Sequence, residues 1–423
     1  MRNRHAFTLI ELLIVIGIIT ILMVTIVIVM NPGELLKQSR DSNRLQDMAS
    51  MDTSLRLAQI DALSFGSANT IYVSIPDPTA TSTLGDQCQG LGLPTLPSSY
   101  TYHCAASSTS QMTNGTGWIP VNLTQVSAGN PLSQLPKDPL NASSSRNWYA
   151  YATDGTKYEL TTALESSKYK AGGQQDVITN DGGTLASVYE KGTNLTLEPL
   201  DYGDTSLVGY WKLNKYTSGS IANNQTDGME DSSGNNNSGT AKNANGTGMA
   251  WTTGTNGGAV SFDGTDDYVT VPDSNSLELA QWTVSLWIKF NSTVGNQRLF
   301  SKNGVGNSAN YYLWRNDGAT LLYYGFGYGS GKVEDSFGPN FILGQWYNIV
   351  FIYDGAVENV YFNAVAKRTK STTATPYIST GQLDIGYSTV SGGDHFNGII
   401  DDVRIYNRAL SAAEITAMYN GGK

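Results

Sequence analysis

The sequence is poor in the residues that most often carry chemistry. Three histidines and two cysteines in 423 residues exclude a zinc finger, a His-rich metal site and an iron–sulfur site. Positive charge is in deficit: 26 Lys and Arg stand against 36 Asp and Glu, a formal charge of −10. A nucleic-acid binder needs a basic face against phosphates, so nucleic acid is not an expected partner. The same deficit argues against polybasic attachment to anionic lipid. What is abundant is glycine, at 45 residues, with 24 Tyr and eight Trp. A disordered chain would be poor in aromatics, so this balance points to ordered strands and turns. The length fits about two or three domains.

One long apolar run interrupts the polar texture. Leu12 to Met30 is 19 residues without a charge. As a helix it measures about 28 Å, enough to cross a bilayer. A cleaved secretory signal would have a shorter apolar core and a small-x-small cleavage site, and Asn31-Pro32-Gly33-Glu34 supplies none. Arg2 and Arg4 precede the run and keep the N-terminus cytoplasmic. Everything beyond about residue 31 is then outside the cytoplasm. Glu11 sits near the start of the run, where a carboxylate costs a few kcal/mol unless paired. A cut before Phe7 creates an α-amine at the right depth. The amine of one copy could then meet Glu11 of the next, a pairing that would set the axial step of a polymer.

Met1-Arg2-Asn3-Arg4-His5-Ala6 followed by Phe7-Thr8-Leu9-Ile10-Glu11 and the apolar helix resembles the N-terminus of type IV prepilins and pseudopilins. The resemblance implies cleavage after Ala6 by a prepilin peptidase, N-methylation of Phe7, and assembly through packed helices with Glu11 meeting a neighbour's amine. Ala6 departs from the family, which usually has Gly there; an uncleaved membrane anchor is the alternative.

Apolar residues from Leu35 to Leu63 recur at helical spacing, which predicts a continuation of the rod over 34–63, kinked at Pro32-Gly33. Lys37, Arg40, Asp41, Arg44, Asp47 and Asp52 are expected to form its solvated face. Cys88 and Cys104 lie in an exported region, where a pair most simply forms one disulfide; a reactive thiol served by His103 is the lesser reading. Asp154-Gly155 turns a hairpin between 148–153 and 157–162. With Leu135-Pro136-Lys137-Asp138-Pro139-Leu140, this stretch resembles the small head of a pseudopilin. Asp176, Asn180 and Asp181 sit in a loop where some pseudopilins bind calcium, although a plain polar loop fits as well. Residues 196–206 read as a linker.

From Leu207 the texture changes to short strands with glycine-rich turns, the pattern of a β-sandwich or jelly roll. In Trp282 to Phe290, alternation puts Trp282, Val284, Leu286, Ile288 and Phe290 on a core face. Ser411-Ala412-Ala413-Glu414 is a capping box that starts a short terminal helix. Leu207-Val208-Gly209-Tyr210-Trp211, Asp231-Ser232-Ser233-Gly234-Asn235, Phe262-Asp263-Gly264-Thr265-Asp266-Asp267-Tyr268 and Asp401-Asp402-Val403-Arg404-Ile405-Tyr406 resemble the laminin-G-like, concanavalin A-like jelly roll of bacterial surface proteins. That family is similar to lectins, and many members bind calcium.

The expected organisation is therefore a multidomain chain: leader 1–6, helix 7–63 with its membrane part at about 12–30, a small α+β pilin-like head over 64–195, linker 196–206, and an all-β jelly roll over 207–423. The Glu-x-Asp-x-x-Glu strand of glucanases on this fold does not occur, and no catalytic residue is expected. Asp231, Asn235 and Asn237, joined by Asp401 or Asp402, are candidate ligands of a structural calcium ion; the alternative is that they hold a turn. Trp314, Tyr323, Tyr324 and Tyr328 are candidate glycan-stacking residues, against the alternative of core packing. The expected function is a pilus-class filament subunit, minor or tip with a major subunit as the alternative, possessing a lectin-like domain for adhesion. Its partners would be other pilins, the prepilin peptidase, the membrane, and a glycan or surface protein. A secretion pseudopilin in the periplasm and a monomeric membrane-anchored binding protein are the alternatives.

Overall fold

The computed structural model describes residues 9–80, 88, 90–97, 99–255, 257–303, 309–317, 321–329, 331–338, 340–389 and 394–421, without the side chains of 21, 22 and 24–30. Ala6 and Phe7 lie outside the described residues. Helix α1 spans Leu9–Met30 and helix α2 Pro32–Ile60. Asn31 separates them in a left-handed conformation, its side chain accepting from the Glu34 N–H at 3.4 Å, and Pro32 takes the first helical position. There the missing N–H costs nothing, because a helix start has no partner for it. Among the described residues no helix is long and apolar enough to cross a membrane. The span expected at 12–30 lies partly outside the described side chains. Those that are described, among them Leu9, Leu13, Ile16 and Ile18, are exposed.

Met48, Met51, Leu55 and Ala58 repeat at helical spacing and bury one stripe of α2. It packs on Tyr149, Tyr151, Tyr158 and Leu160 of a five-stranded sheet and on Trp118 from a connecting loop. In sheet order the strands are Thr101–Ala106, Thr70–Asp77, Tyr149–Thr153, Tyr158–Ala163 and Val188–Gly192; the first pair is parallel and the others antiparallel. Asp154 closes the expected hairpin by accepting the Thr156 and Lys157 N–H groups. Cys88 and Cys104 form a disulfide across 16 positions, a loop worth about 3 kcal/mol in the chain-entropy account.

The polar face of α2 differs from the expectation of a solvated surface. Asp41 and Arg44 are wholly buried. The Arg44 guanidinium donates to Asp138 at 2.6 and 3.1 Å, to Asp41 at 2.7 Å and to Glu165 at 2.7 Å. Arg40 grips Glu165 with two further bonds. Loops after the helix fold back over these charges, a tertiary event that helical periodicity does not encode.

Residues 207–421 form two stacked antiparallel sheets. One has nine strands, centred on Trp282–Phe290, which lies between Trp346–Tyr353 and Asn397–Tyr406. The other has seven, in the order Gly331–Phe337, Leu322–Tyr328, Tyr311–Arg315, Gln297–Lys302, Leu383–Ile385, Asp267–Val271 and Thr240–Asn243. Their facing sides make one large core. Trp282 lies at its centre, with the rings of Tyr311, Phe326, Phe351 and Tyr353 between 4.9 and 5.7 Å away. The outer face of the nine-stranded sheet is also covered. Helix α3, Ala412–Gly421, starts at the expected reciprocal cap between Ser411 and Glu414. Its Ile415 and Met418 pack over Leu207, Tyr210, Val350 and Ile352. For this reason Trp287, on the outward parity, is buried and stacked on Tyr419.

The segment expected to be a linker is packed rather than loose. Leu200 and Tyr202 are buried, and Tyr202 stacks on Trp148 at 4.7 Å. The Asp201 N–H donates to the Ser232 carbonyl, and Arg408 pairs with both Asp204 and Glu414. The two bodies therefore meet through a hydrogen-bonded seam.

Candidate functional site

The outer face of the seven-stranded sheet carries an aromatic and polar assembly that the core does not consume. Strand parity builds it. In Tyr311–Arg315, Tyr311 and Leu313 point into the core while Tyr312 and Trp314 point out; in Leu322–Tyr328, Leu322, Tyr324 and Phe326 point in and Tyr323 points out. The register sets Trp314 beside Tyr323, and the two rings stack at 4.6 Å. Next along sits Tyr312 opposite Gly325, which faces Glu334 on the following strand. A Cβ at Gly325 would come within 2.0 Å of the Val333 carbonyl, so this position must be glycine. The bare backbone lets Tyr312 Oη and Trp314 Nε1 reach across to Glu334 Oε2, at 3.0 and 3.2 Å.

Arg298 completes the assembly. Its guanidinium lies 5.1 Å from the Trp314 ring centre and 5.5 Å from that of Tyr312, with Asp394 at 3.6 Å. Burial pulls its pKa down despite the carboxylate beside it. Across the sheet a second aromatic group forms, Tyr387 stacked on His395 at 4.4 Å and against Tyr268 at 4.7 Å. Half-buried rings, a carboxylate and a guanidinium on one face offer stacking and hydrogen bonding together. That combination suits a polyhydroxylated ligand.

The structure sorts the candidate glycan residues. Trp314 and Tyr323 are brought together. Tyr324 is wholly buried, its ring 5.2 Å from Phe351 and its hydroxyl on Asp335 at 3.2 Å; it is a core residue, and its expectation as a ligand contact is corrected. Tyr328 is 40 % exposed, but it stands five residues beyond Tyr323 on the same strand, about 17 Å away. Arg298, Tyr312 and Glu334 were missed from the sequence. Recognising 322–328 as a strand would have exposed the parity and set Tyr324 apart from Tyr323.

The candidate calcium ligands are not assembled into a cage. Asp231 is buried and accepts from the Tyr210, Ser233 and Asn237 N–H groups and from the Ser233 hydroxyl. Both its oxygens are thus engaged in holding the turn. Asn235 and Asn237 turn their amide nitrogens to the Leu207 and Val208 carbonyls. Asp401 accepts from Thr255, and Asp402, at φ 54°, pairs with Arg404. The loop at 176–181 behaves likewise: Asp176 accepts from Gly172 and Thr179, and Asp181 from Gly183 and Glu190. Elsewhere, Asp263, Asp266 and Asp267 each bring a carboxylate oxygen close to the others.

Comparison with known proteins agrees with the two ends of the chain. Residues 263–416 match the family described as the concanavalin A-like lectin/glucanases superfamily, and residues 1–27 match the prokaryotic N-terminal methylation motif. No curated protein matches the sequence. Similar solved structures include domain 4 of AbnA, a GH43 extracellular arabinanase from Geobacillus stearothermophilus, in complex with arabinotriose: 22 % identity, 50 % of this chain and 98 % of that one, TM-score 0.39. Another is the binding domain of Paraclostridial Mosquitocidal Protein 1, at 17 % identity over 51 % of this chain and 52 % of that one, TM-score 0.39. A third is the botulinum neurotoxin serotype G binding domain, at 14 % identity over half of each chain, TM-score 0.39. The chain thus joins an N-terminal methylation motif of the type IV pilin class to a lectin-like β-sandwich.

Proposed function

We propose that this chain is a filament subunit of the type IV pilus class that carries a lectin-like recognition domain on the outside. In this reading the leader is removed after Ala6, Phe7 is methylated, and α1 crosses the cytoplasmic membrane before assembly. Glu11 of one copy then pairs with the α-amine of its neighbour. The head over 64–195 serves as the pilin body, and the sandwich presents the Trp314–Tyr323 face to a surface glycan. The methylation motif at 1–27, on a helix whose described apolar side chains are exposed, carries the proposal. Such a surface must be covered by lipid or by other helices. The bulk of the sandwich favours a minor or tip position, where subunits crowd least.

Glu11→Ala tests it. The variant is expected to accumulate in membranes and vanish from filaments sheared off the cell surface, measured by immunoblot of both fractions. Equal incorporation of Glu11→Ala would refute the pilin reading. Wild-type protein confined to the periplasmic side would favour the secretion pseudopilin instead.

A further inference from the structure

The turn between strands Gly258–Asp263 and Asp267–Val271 gathers three carboxylates on five residues. Each uses one oxygen to hold the local backbone. Asp263 Oδ1 accepts the Thr265 N–H at 2.7 Å, Asp267 Oδ2 accepts the Asp263 N–H at 2.9 Å, and Asp266 Oδ2 accepts the Asn245 N–H from a neighbouring loop at 2.6 Å. The remaining oxygens of Asp266 and Asp267 are buried and have no hydrogen-bond partner. Asp267 is 0 % exposed.

Leaving two carboxylate oxygens buried and unpaired is costly. One oxygen from each of the three groups lies within 4.8 Å of the others. Oxygens this close together can share one calcium ion, which takes its ligands at about 2.3–2.6 Å. Gly248 stands over the group in a left-handed conformation, where a Cβ would come 2.2 Å from Asp263 Oδ2. The third carboxylate has its room only because that position is bare.

We infer that Asp263, Asp266 and Asp267 bind a divalent cation of the calcium class, one oxygen from each. Asp263 and Asp266 are only partly buried, so water completes the six to eight oxygens that calcium takes. The ion would neutralise the turn and tie it to the loop at Asn245. It would also fix the start of the strand carrying Tyr268, at the edge of the aromatic face. The site is distinct from the Asp231 turn and does not depend on the filament reading.

The test uses the full chain in detergent, stripped with chelator, with calcium chloride as the probe. Calorimetric titration should find one calcium site, and calcium should raise the melting temperature. Asp266→Asn and Asp263→Asn should each weaken binding about tenfold or more, because ligand charge sets affinity at such sites. Asn235→Ala, in the Asp231 turn, should bind as wild type. Asp267→Asn should melt at or above wild type in chelator, where a repelling charge is gone, and below it in calcium. Should that variant fail to fold, Asp266→Asn at its partly exposed position still decides. Absence of binding to wild type, unchanged affinity in both Asp266→Asn and Asp263→Asn, or loss of affinity in Asn235→Ala alone would overturn the inference.

Discussion

Single residues decide how the rod is joined to the body. Arg44 neutralises Asp41 and Asp138 in a space closed to water and shares Glu165 with Arg40. Replacing Arg44 with Met strands two buried carboxylates, and breaking such a pair costs about 3–5 kcal/mol. Calorimetry of the Arg44→Met chain should show the head's transition lowered while the sandwich transition holds; an unchanged head would contradict the role assigned to Arg44. Glu198 makes a second case. Burial, and then the charge of Glu159, push it from its ordinary 4.5 to about 8, and Lys212 offsets this only in part. The folded chain holds this proton more tightly than the unfolded chain does. Its stabilising contribution is therefore complete below about pH 4.5 and is lost as pH rises through about 8. Asp181, pushed up to about 7 mainly by burial, acts with the same sign. The head should melt at progressively lower temperature from pH 5 to pH 8, and Glu198→Gln should flatten that slope. A rise over the same interval would contradict it.

Among the elements, the pair of strands Tyr311–Arg315 and Leu322–Tyr328 separates binding from packing most cleanly. Trp314→Ala removes a ring from the outer face and leaves the core intact, so it should cost little stability while lowering glycan affinity about tenfold or more, as loss of a stacking anchor does. Tyr324→Ala opens a core cavity and should cost about 3–5 kcal/mol, with binding reduced only as far as folding fails. A glycan array read beside a melting curve checks both; equal effects on the two readouts from both variants would contradict the assignment of faces. The same strands show what the sequence reveals and what it hides. Features set by neighbours along the chain were legible: the apolar run of α1, the alternation of Trp282–Phe290, the Asp154-Gly155 turn, the Ser411–Glu414 cap. Tyr324 was misplaced because an aromatic reads alike on either face until its strand is recognised. Asp41 and Arg44 looked solvated because the loops that cover them come about 100 residues later. The Asp263, Asp266 and Asp267 group stood in view as a motif. Only the turn's geometry turns adjacent acids of opposite strand parity toward one point.

At the scale of the whole molecule, an apolar rod leads into a body against which the sandwich packs. The seam at Asp201, Ser232, Asp204 and Arg408 packs the sandwich against the head. The central claim is that the chain is processed and exported into a filament of the type IV pilus class. Its most direct test is the intact mass of the protein in material sheared from cells. The account predicts a chain that begins at a methylated Phe7. A chain that keeps Met1 and stays with the membrane pellet would show that Ala6 is not a cleavage site and that α1 is only an anchor, which contradicts the claim.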